Sequence, residues 1–255
     1  MRTHWIKSFA VSVMLAGMLG GCATQDNKDP LEGLNRGIYK FNDTVDKAAI
    51  KPVAGAYKAV LPSPVRSGVN NFFSNLSTVV TVINDMLQFK IDKAMDDAGR
   101  FAINTTFGVA GLIDWASMDG IEKRNEDFGQ TLGYWGIGDG AYLVLPFLGP
   151  STIRDTAGLV VDSAFFDPIG YLDDARDRNQ LLLTKFIDTR AQYLPGSDLL
   201  DEAALDPYVF VRDAYFQRRH NMIHDGDMPK DERIREESDE DSGKATVAAA
   251  DVSAK

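Results

Sequence analysis

Two histidines four residues apart, His220 and His224, are the most suggestive ligand or acid–base pair in this chain. Residues i and i+4 share one face of a helix, and Asp225 and Asp227 follow closely, so the ligand types of a metal site are present. No third rigid ligand is spaced to complete one. Solvated His and Asp at a helix end is the simpler reading, and no metal site is assigned. A serine triad needs its nucleophile on a sharp turn, and no G-x-S-x-G occurs. The carboxylate pairs Asp96-Asp97 and Asp173-Asp174 are adjacent in sequence and so diverge on a helix; they read as solvated faces. Gly136 to Gly140 (GIGDG) carries the glycines of a phosphate loop without the preceding strand, the Lys-Ser/Thr pair or the third fingerprint glycine. No catalytic residue and no cofactor are assigned.

Cys22 is the only cysteine, which excludes an intramolecular disulfide and a Cys-based zinc site. It closes a segment with the plan of a secretory signal. Arg2 and Lys7 make a positive start, and Phe9 to Leu19 is an apolar stretch of about 11 residues, too short to span a bilayer. Leu19-Gly20-Gly21-Cys22 resembles the bacterial lipobox, in which the cysteine becomes the lipidated N-terminus; an ordinary cleavage site beside a buried free cysteine is the alternative. Ala23 rather than Asp follows Cys22, which under this resemblance implies the outer membrane and a body working in the periplasm. The expected division is a signal peptide at 1–21, a lipidated tether at 22–29, a folded body at 30–224 and a disordered acidic tail at 225–255. From Asp225 onward ten acidic residues face five basic ones, with few large apolar residues to bury.

The elements that position any site read as helices. The chain has 255 residues, 44% of them hydrophobic, and a net charge of −10, which suits one globular body and disfavours a nucleic-acid partner. Leu34, Ile38, Phe41, Val45 and Ala49 recur at three- and four-residue steps until Pro52 interrupts. Within this helix Phe41 and Asn42 set the register, since deleting both rotates everything downstream by about 200°. Ser63-Pro64 reads as a cap and first helical position, and Leu76 to Phe89 continues with helical spacing despite its β-branched cluster. Met95, Ala98, Phe101 and Ala102 mark an apolar helix face running into Gly108. Ser151 to Phe166, Leu172 to Tyr193 (ended by Pro195-Gly196) and Pro207 to Met222 complete the set. No succession of period-2 segments occurs, so the class is mainly α, a single bundle of amphipathic helices with glycine-rich hairpin segments.

Two stretches concentrate glycine and apolar residues: Thr106 to Trp115 (TFGVAGLIDW) and Leu132 to Pro150 (LGYWGIGDGAYLVLPFLGP). In the first, Gly108 and Gly111 frame Val109, Leu112 and Ile113. In the second, glycines frame Tyr134, Trp135, Ile137, Tyr142 and Leu143. Each apolar run is about 10 residues, which leaves either a buried core turn or an interfacial rim bordering lipid. Glycine allows the bends either role requires. Leu31 to Arg66 holds six basic residues against three acidic ones, suited equally to phosphate headgroups or to a solvated face.

Pro30 to Asn42 (PLEGLNRGIYKFN), Pro64 to Leu76 (PVRSGVNNFFSNL), Gly99 to Ala116 (GRFAINTTFGVAGLIDWA), Asp127 to Arg154 (DFGQTLGYWGIGDGAYLVLPFLGPSTIR) and Asp206 to Arg219 (DPYVFVRDAYFQRR) together resemble the MlaA (VacJ) lipoprotein family. The resemblance implies a helical, ring-like protein seated in the inner leaflet of the outer membrane, with an amphipathic channel. It further implies that misplaced outer-leaflet phospholipid passes through the channel to a soluble periplasmic lipid-carrier protein, that trimeric porins are partners, and that lipid asymmetry is maintained. Passage of this kind needs no nucleophile or cofactor. The two glycine-framed stretches are then the expected channel lining or gate. A porin-associated scaffold without lipid transport is the rival reading.

Overall fold

The computed structural model describes residues 28–226; the expected signal segment, Cys22 with most of the expected tether, and the expected tail beyond Gly226 lie outside the described residues. Helix α1 (Glu32–Val45) passes through a π-turn (Asp46–Ile50) into α2 (Lys51–Val60). The sequence reading stops this helix at Pro52, and the structure corrects it. Pro52 has no N–H to donate, the Lys51 amide bonds the Asp46 carbonyl five residues back, and the widened helix continues. Helix α3 (Ser63–Leu87) follows, with Pro62 rather than Ser63 at the capping position and no side-chain cap. Next come α4 (Ile91–Thr106), the short α5 (Trp115–Met118), α6 (Phe128–Tyr134) and an antiparallel hairpin of β1 (Tyr142–Leu145) and β2 (Gly149–Thr152). Helix α7 (Ile153–Val161), a second π-turn (Asp162–Phe166), a 3-10 turn (Pro168–Tyr171), α8 (Ala175–Ala203) and α9 (Pro207–Ile223) complete the chain. Pro195 lies inside α8 rather than ending it.

These elements close a circuit. Helix α1 lies on β1, β1 pairs with β2, β2 leans on α7, α7 packs on α6, α6 on α3, α3 on α8, and α8 on α2, which returns to α1. The mainly helical bundle is ring-like for that reason. Gly129 and Gly158 allow the closest approach in it. A Cβ on Gly158 would lie 2.3 Å from the Gly129 nitrogen, and one on Gly129 would lie 2.6 Å from Asp155 Oδ1. Only glycine lets α6 and α7 sit so close.

The polarity of the bundle is inverted relative to a water-soluble helical protein. Helix α4 turns Ala94, Asp97, Arg100 and Asn104 inward, three and four residues apart. Met95, Ala98 and Ala102 are exposed and Phe101 is half-buried, so the apolar face of this helix is turned largely outward. The same holds on α1, where Asn35 is buried while Leu34 and Phe41 face out. Asp97 is buried against Arg124 (3.1 Å) rather than solvated, whereas Asp173 and Asp174 are exposed as expected. Among the described residues the buried apolar clusters are small, one of Ala54, Ala191 and Leu194, another of Tyr142, Val144 and Tyr208, with Phe73, Phe128, Leu132 and Ile169 buried elsewhere.

What fills the interior instead is a set of mutually paired polar groups. Arg219 on α9 takes both oxygens of Asp127, the α6 cap, and reaches Asp155 on α7 at 2.9 Å. Arg154 lies 2.9 Å from Asp155 and 2.6 Å from Asp139, and the Tyr215 hydroxyl donates to Asp155. Beside this knot, Gln88 donates to Glu126 (2.9 Å) and Thr131 (3.2 Å). Thr131 donates to Asn84 (2.8 Å), Asn84 to Asp162 (3.2 Å), and Asp162 accepts the Phe128 amide (2.9 Å). Burial raises the Asp162 carboxyl to about 6 despite the amides that bond it. A buried ion set is strongly destabilised when one member is removed, because its partners keep their desolvation cost. Arg219→Met, which removes the guanidinium shared by Asp127 and Asp155, should therefore lower unfolding free energy in detergent by about 3–5 kcal/mol. Met95→Gln, on the exposed face of α4, should change it by less than about 0.5 kcal/mol. Chemical denaturation of both variants checks this, and a silent Arg219→Met would contradict the polar-core account.

Candidate functional site

The first glycine-rich stretch forms a tight reversal after α4. Val109, Ala110 and Gly111 take φ of 53°, 57° and 90°, three left-handed residues in succession. The Ala110 and Gly111 amides reach back to the Thr105 and Asn104 carbonyls (3.0 and 2.9 Å), and the Ile113 amide to Gly108 (2.9 Å). A Cβ on Gly108 would lie 2.1 Å from the Ile113 oxygen, and one on Gly111 would lie 2.7 Å from the Asn75 side chain. Helix α3 holds the turn through Asn71, which donates to the Leu112 carbonyl (3.1 Å), and Asn75, which donates to Thr105 (2.9 Å). On the far side Asn104 and Arg100 grip Asp114, at 2.8 and 3.2 Å. A β-branched residue at positive φ is strained, and such strain persists only where the surroundings over-determine the backbone. This elaborate support presents Val109, Leu112 and Ile113 outward; Val109 is 62% exposed. Phe107, Trp115 and Met118 extend the same apolar exterior.

The second stretch divides into two parts. Tyr134, Trp135 and Ile137, at the end of α6, are exposed, and Arg154 steadies the following loop by donating to the Ile137 carbonyl (3.2 Å). Tyr142 is wholly buried in β1 among Tyr208, Tyr215 and Phe216, and Leu143 is half-buried. The residues expected as one lining thus occupy separate stations: the α4–α5 turn, the end of α6, and the hairpin. Tyr142 belongs to the packing that holds the hairpin rather than to an open wall.

Asparagines that the sequence reading passes over, or reads only as register, position that hairpin. Asn35 donates to the Tyr142 carbonyl (2.9 Å) and accepts the Val144 amide (2.9 Å), and its amide nitrogen also reaches Asp29 (2.8 Å). Seven residues and two turns later, Asn42 donates to the Leu145 carbonyl (2.9 Å) and accepts the Phe147 amide (2.9 Å). Two carboxamides on one face of α1 therefore take the place of a third strand along the outer edge of β1. The legible signal is the spacing of seven in LNRGIYKFN, which puts both on the inward stripe. The hairpin tip that Asn42 holds is apolar and exposed, with Phe147 (φ 64°) edge-on to Phe41 at 5.5 Å and Leu148 beside it. His220 and His224 stack at 4.4 Å, and no cluster of three His, Cys, Asp or Glu residues among the described ones is arranged to hold a metal. Asn42→Ala removes two bonds and leaves a carbonyl and an amide behind, so it should cost about 1–3 kcal/mol in unfolding free energy. Amide exchange should localise the effect to residues 142–149; a loss spread evenly over the ring would contradict the clamp.

The chain matches the profile of the MlaA lipoprotein family over residues 27–222. It is 37% identical over 224 residues to the Escherichia coli intermembrane phospholipid transport system lipoprotein MlaA, covering 84% of this chain and 88% of that one. It is 33% identical over 233 residues to the Haemophilus influenzae protein of the same name, covering 87% and 92%. Among solved structures it is similar, with a TM-score of 0.68 and 37% identity over 76% of this chain and 98% of the other, to one described as the structural basis for maintenance of bacterial outer membrane lipid asymmetry. With the polar-cored ring and both glycine-rich stretches inside the matched span, the chain belongs to the MlaA lipoprotein family.

Proposed function

We propose that this protein is an outer-membrane lipoprotein that removes misplaced phospholipid from the outer leaflet and thereby maintains lipid asymmetry. The carrying observation is the inverted polarity: a ring of helices with paired charges inside and an exterior of Phe107, Val109, Trp115, Trp135, Phe147 and other large apolar residues. An exterior of this kind is stable where acyl chains cover it. In this reading the ring lies within one leaflet, the periplasm-facing inner one; among the described residues no helix is long and apolar enough to cross a membrane. Cys22 is its lipid anchor. The protein is passive and carries no catalytic group; it hands lipid to a soluble periplasmic carrier and stands beside a trimeric porin. The α4–α5 turn and the end of α6 border the lipid path, where acyl chains need an apolar wall and glycine-framed turns supply one.

Val109 separates this reading from a scaffold role. Its side chain is exposed, and aspartate tolerates left-handed backbone better than valine does, so Val109→Asp should leave protein abundance at the wild-type level. A charge where acyl chains pass costs several kcal/mol when desolvated, and surface-exposed phospholipid should accumulate severalfold. Immunoblotting paired with surface phospholipid labelling in cells is the test. Normal abundance with wild-type labelling would remove this turn from the lipid path and favour the scaffold. Cys22→Ser should abolish acyl labelling, and persistent labelling would refute the anchor.

A further inference from the structure

Asp85, near the end of α3, is completely buried, and neither of its carboxylate oxygens has a hydrogen-bond partner. It lies in the corner where α3 turns into α4, and unpartnered acceptors surround it: Asp97 Oδ1 on α4 and Gln88 Oε1 at the corner itself. Six further charged groups bear on the corner. From the loop before α6 come Glu126 and Arg124, the latter 3.1 Å from both Asp97 and Asp96. Lys90 lies 3.5 Å from Glu126 and 2.7 Å from Asp225, the residue just past the end of α9, and Lys93 is 2.8 Å from the same Asp225. Tyr134 offers its ring face to Lys90 at 5.3 Å.

The charges of this corner do not balance when every acid is ionised. Asp85, Asp96, Asp97, Glu126 and Asp225 then face Lys90, Lys93 and Arg124 alone. Of these acids Asp85 is the most deeply buried, and both of its oxygens lack a hydrogen-bond partner, so it is the one placed to hold a proton. We propose that Asp85 is a proton-binding group built into the α3–α4 corner, and that loss of its proton opens the clasp by which Lys90 and Lys93 hold Asp225 and the end of α9. Asp225 is the group that leaves because it is the least buried acid touching Lys90 and sits at left-handed backbone (φ 54°) beyond the helix end, where moving it breaks no core packing. Lys90 then turns wholly to Asp85 and Glu126.

The titration of the carboxyl supports this geometry. Burial, followed by the charges of Glu126 and Asp97, pushes Asp85 up to about 7, with Arg124 and Lys90 opposing, and burial likewise raises Glu126. The sign follows. An unfolded Asp ionises near about 4, so between that value and 7 the folded state holds a proton that the unfolded chain has shed. The contribution to stability is complete below pH 4 and declines as pH rises towards 7.

Full-length protein in detergent should show the Asp85 side-chain carboxyl titrating near neutrality by carbon NMR, well separated from the surface aspartates. Protection of the His224, Asp225 and Gly226 amides, which bond back to His220, Met222 and Asn221, should fall at least tenfold between pH 6 and pH 8.5 after correction for intrinsic exchange. Asp85→Asn mimics the protonated group and should hold that protection flat over the same range. An Asp85 carboxyl titrating below pH 5, or a protection loss that persists unchanged in Asp85→Asn, would overturn the proposal. If the variant does not fold, the wild-type carboxyl titration and amide protection decide by themselves, since both must move with one midpoint. Neither readout depends on lipid passage, so the proposal and the function proposed above fail separately.

Discussion

A guanidinium or carboxylate withdrawn from water is tolerated only where its partners are withdrawn with it, and the ring of helices depends on one such set. Arg219 joins the last helix to the cap of α6 through Asp127 and to α7 through Asp155, and Arg154 ties the same aspartate to the loop after α6. Because these groups take the interior, the large apolar side chains that a soluble bundle would bury have no room there. Leu34, Phe41, Met95, Phe107 and Trp135 face outward, and a medium that accepts them must cover them. The membrane seating proposed above and the polar interior are therefore one arrangement seen from two sides.

The same arrangement explains which parts of the fold were legible in the sequence. Helical periodicity is indifferent to which stripe points inward, so the positions of α3, α4 and α9 followed from spacing while the orientation of α4 did not. Apolar spacing does not say which stripe is core; in α4 the inward stripe is Asp97, Arg100 and Asn104 at the same period, and Met95 faces out. Pro52 and Pro195 mark a second limit. A proline ends an isolated helix, yet a π-turn absorbs the first and packing carries α8 past the second. The family resemblance read from five sequence blocks was matched by the comparison over residues 27–222; composition and periodicity without it reached only a mainly helical body.

For the candidate site, glycine frequency singled out two stretches without giving their geometry. Gly108 and Gly111 are fixed by close approach to the α4 end and to Asn75, which is a three-dimensional fact with no local signature. Tyr142 illustrates the reverse error: an aromatic in a glycine-rich run that the hairpin draws into its packing. The asparagines on α1 and α3 carry more of the structure than their exposed apolar neighbours, because a carboxamide both donates and accepts and so can complete a strand edge or pin a turn. Asn35 and Asn42 do the first, Asn71 and Asn75 the second.

Two tryptophans report directly on the exterior. Trp115, beside the α4–α5 turn, and Trp135, at the end of α6, are each about half exposed, and the remaining one, Trp5, lies in the expected signal segment, outside the described residues. With Trp5 replaced by Phe and each of the others retained singly, fluorescence in bilayers containing phospholipid brominated along the acyl chain reads whether the side chain meets hydrocarbon. Strong bromine quenching of both, with little quenching by aqueous iodide, is the predicted result. Iodide quenching of both with no response to bromine would place the apolar exterior in water and contradict the account.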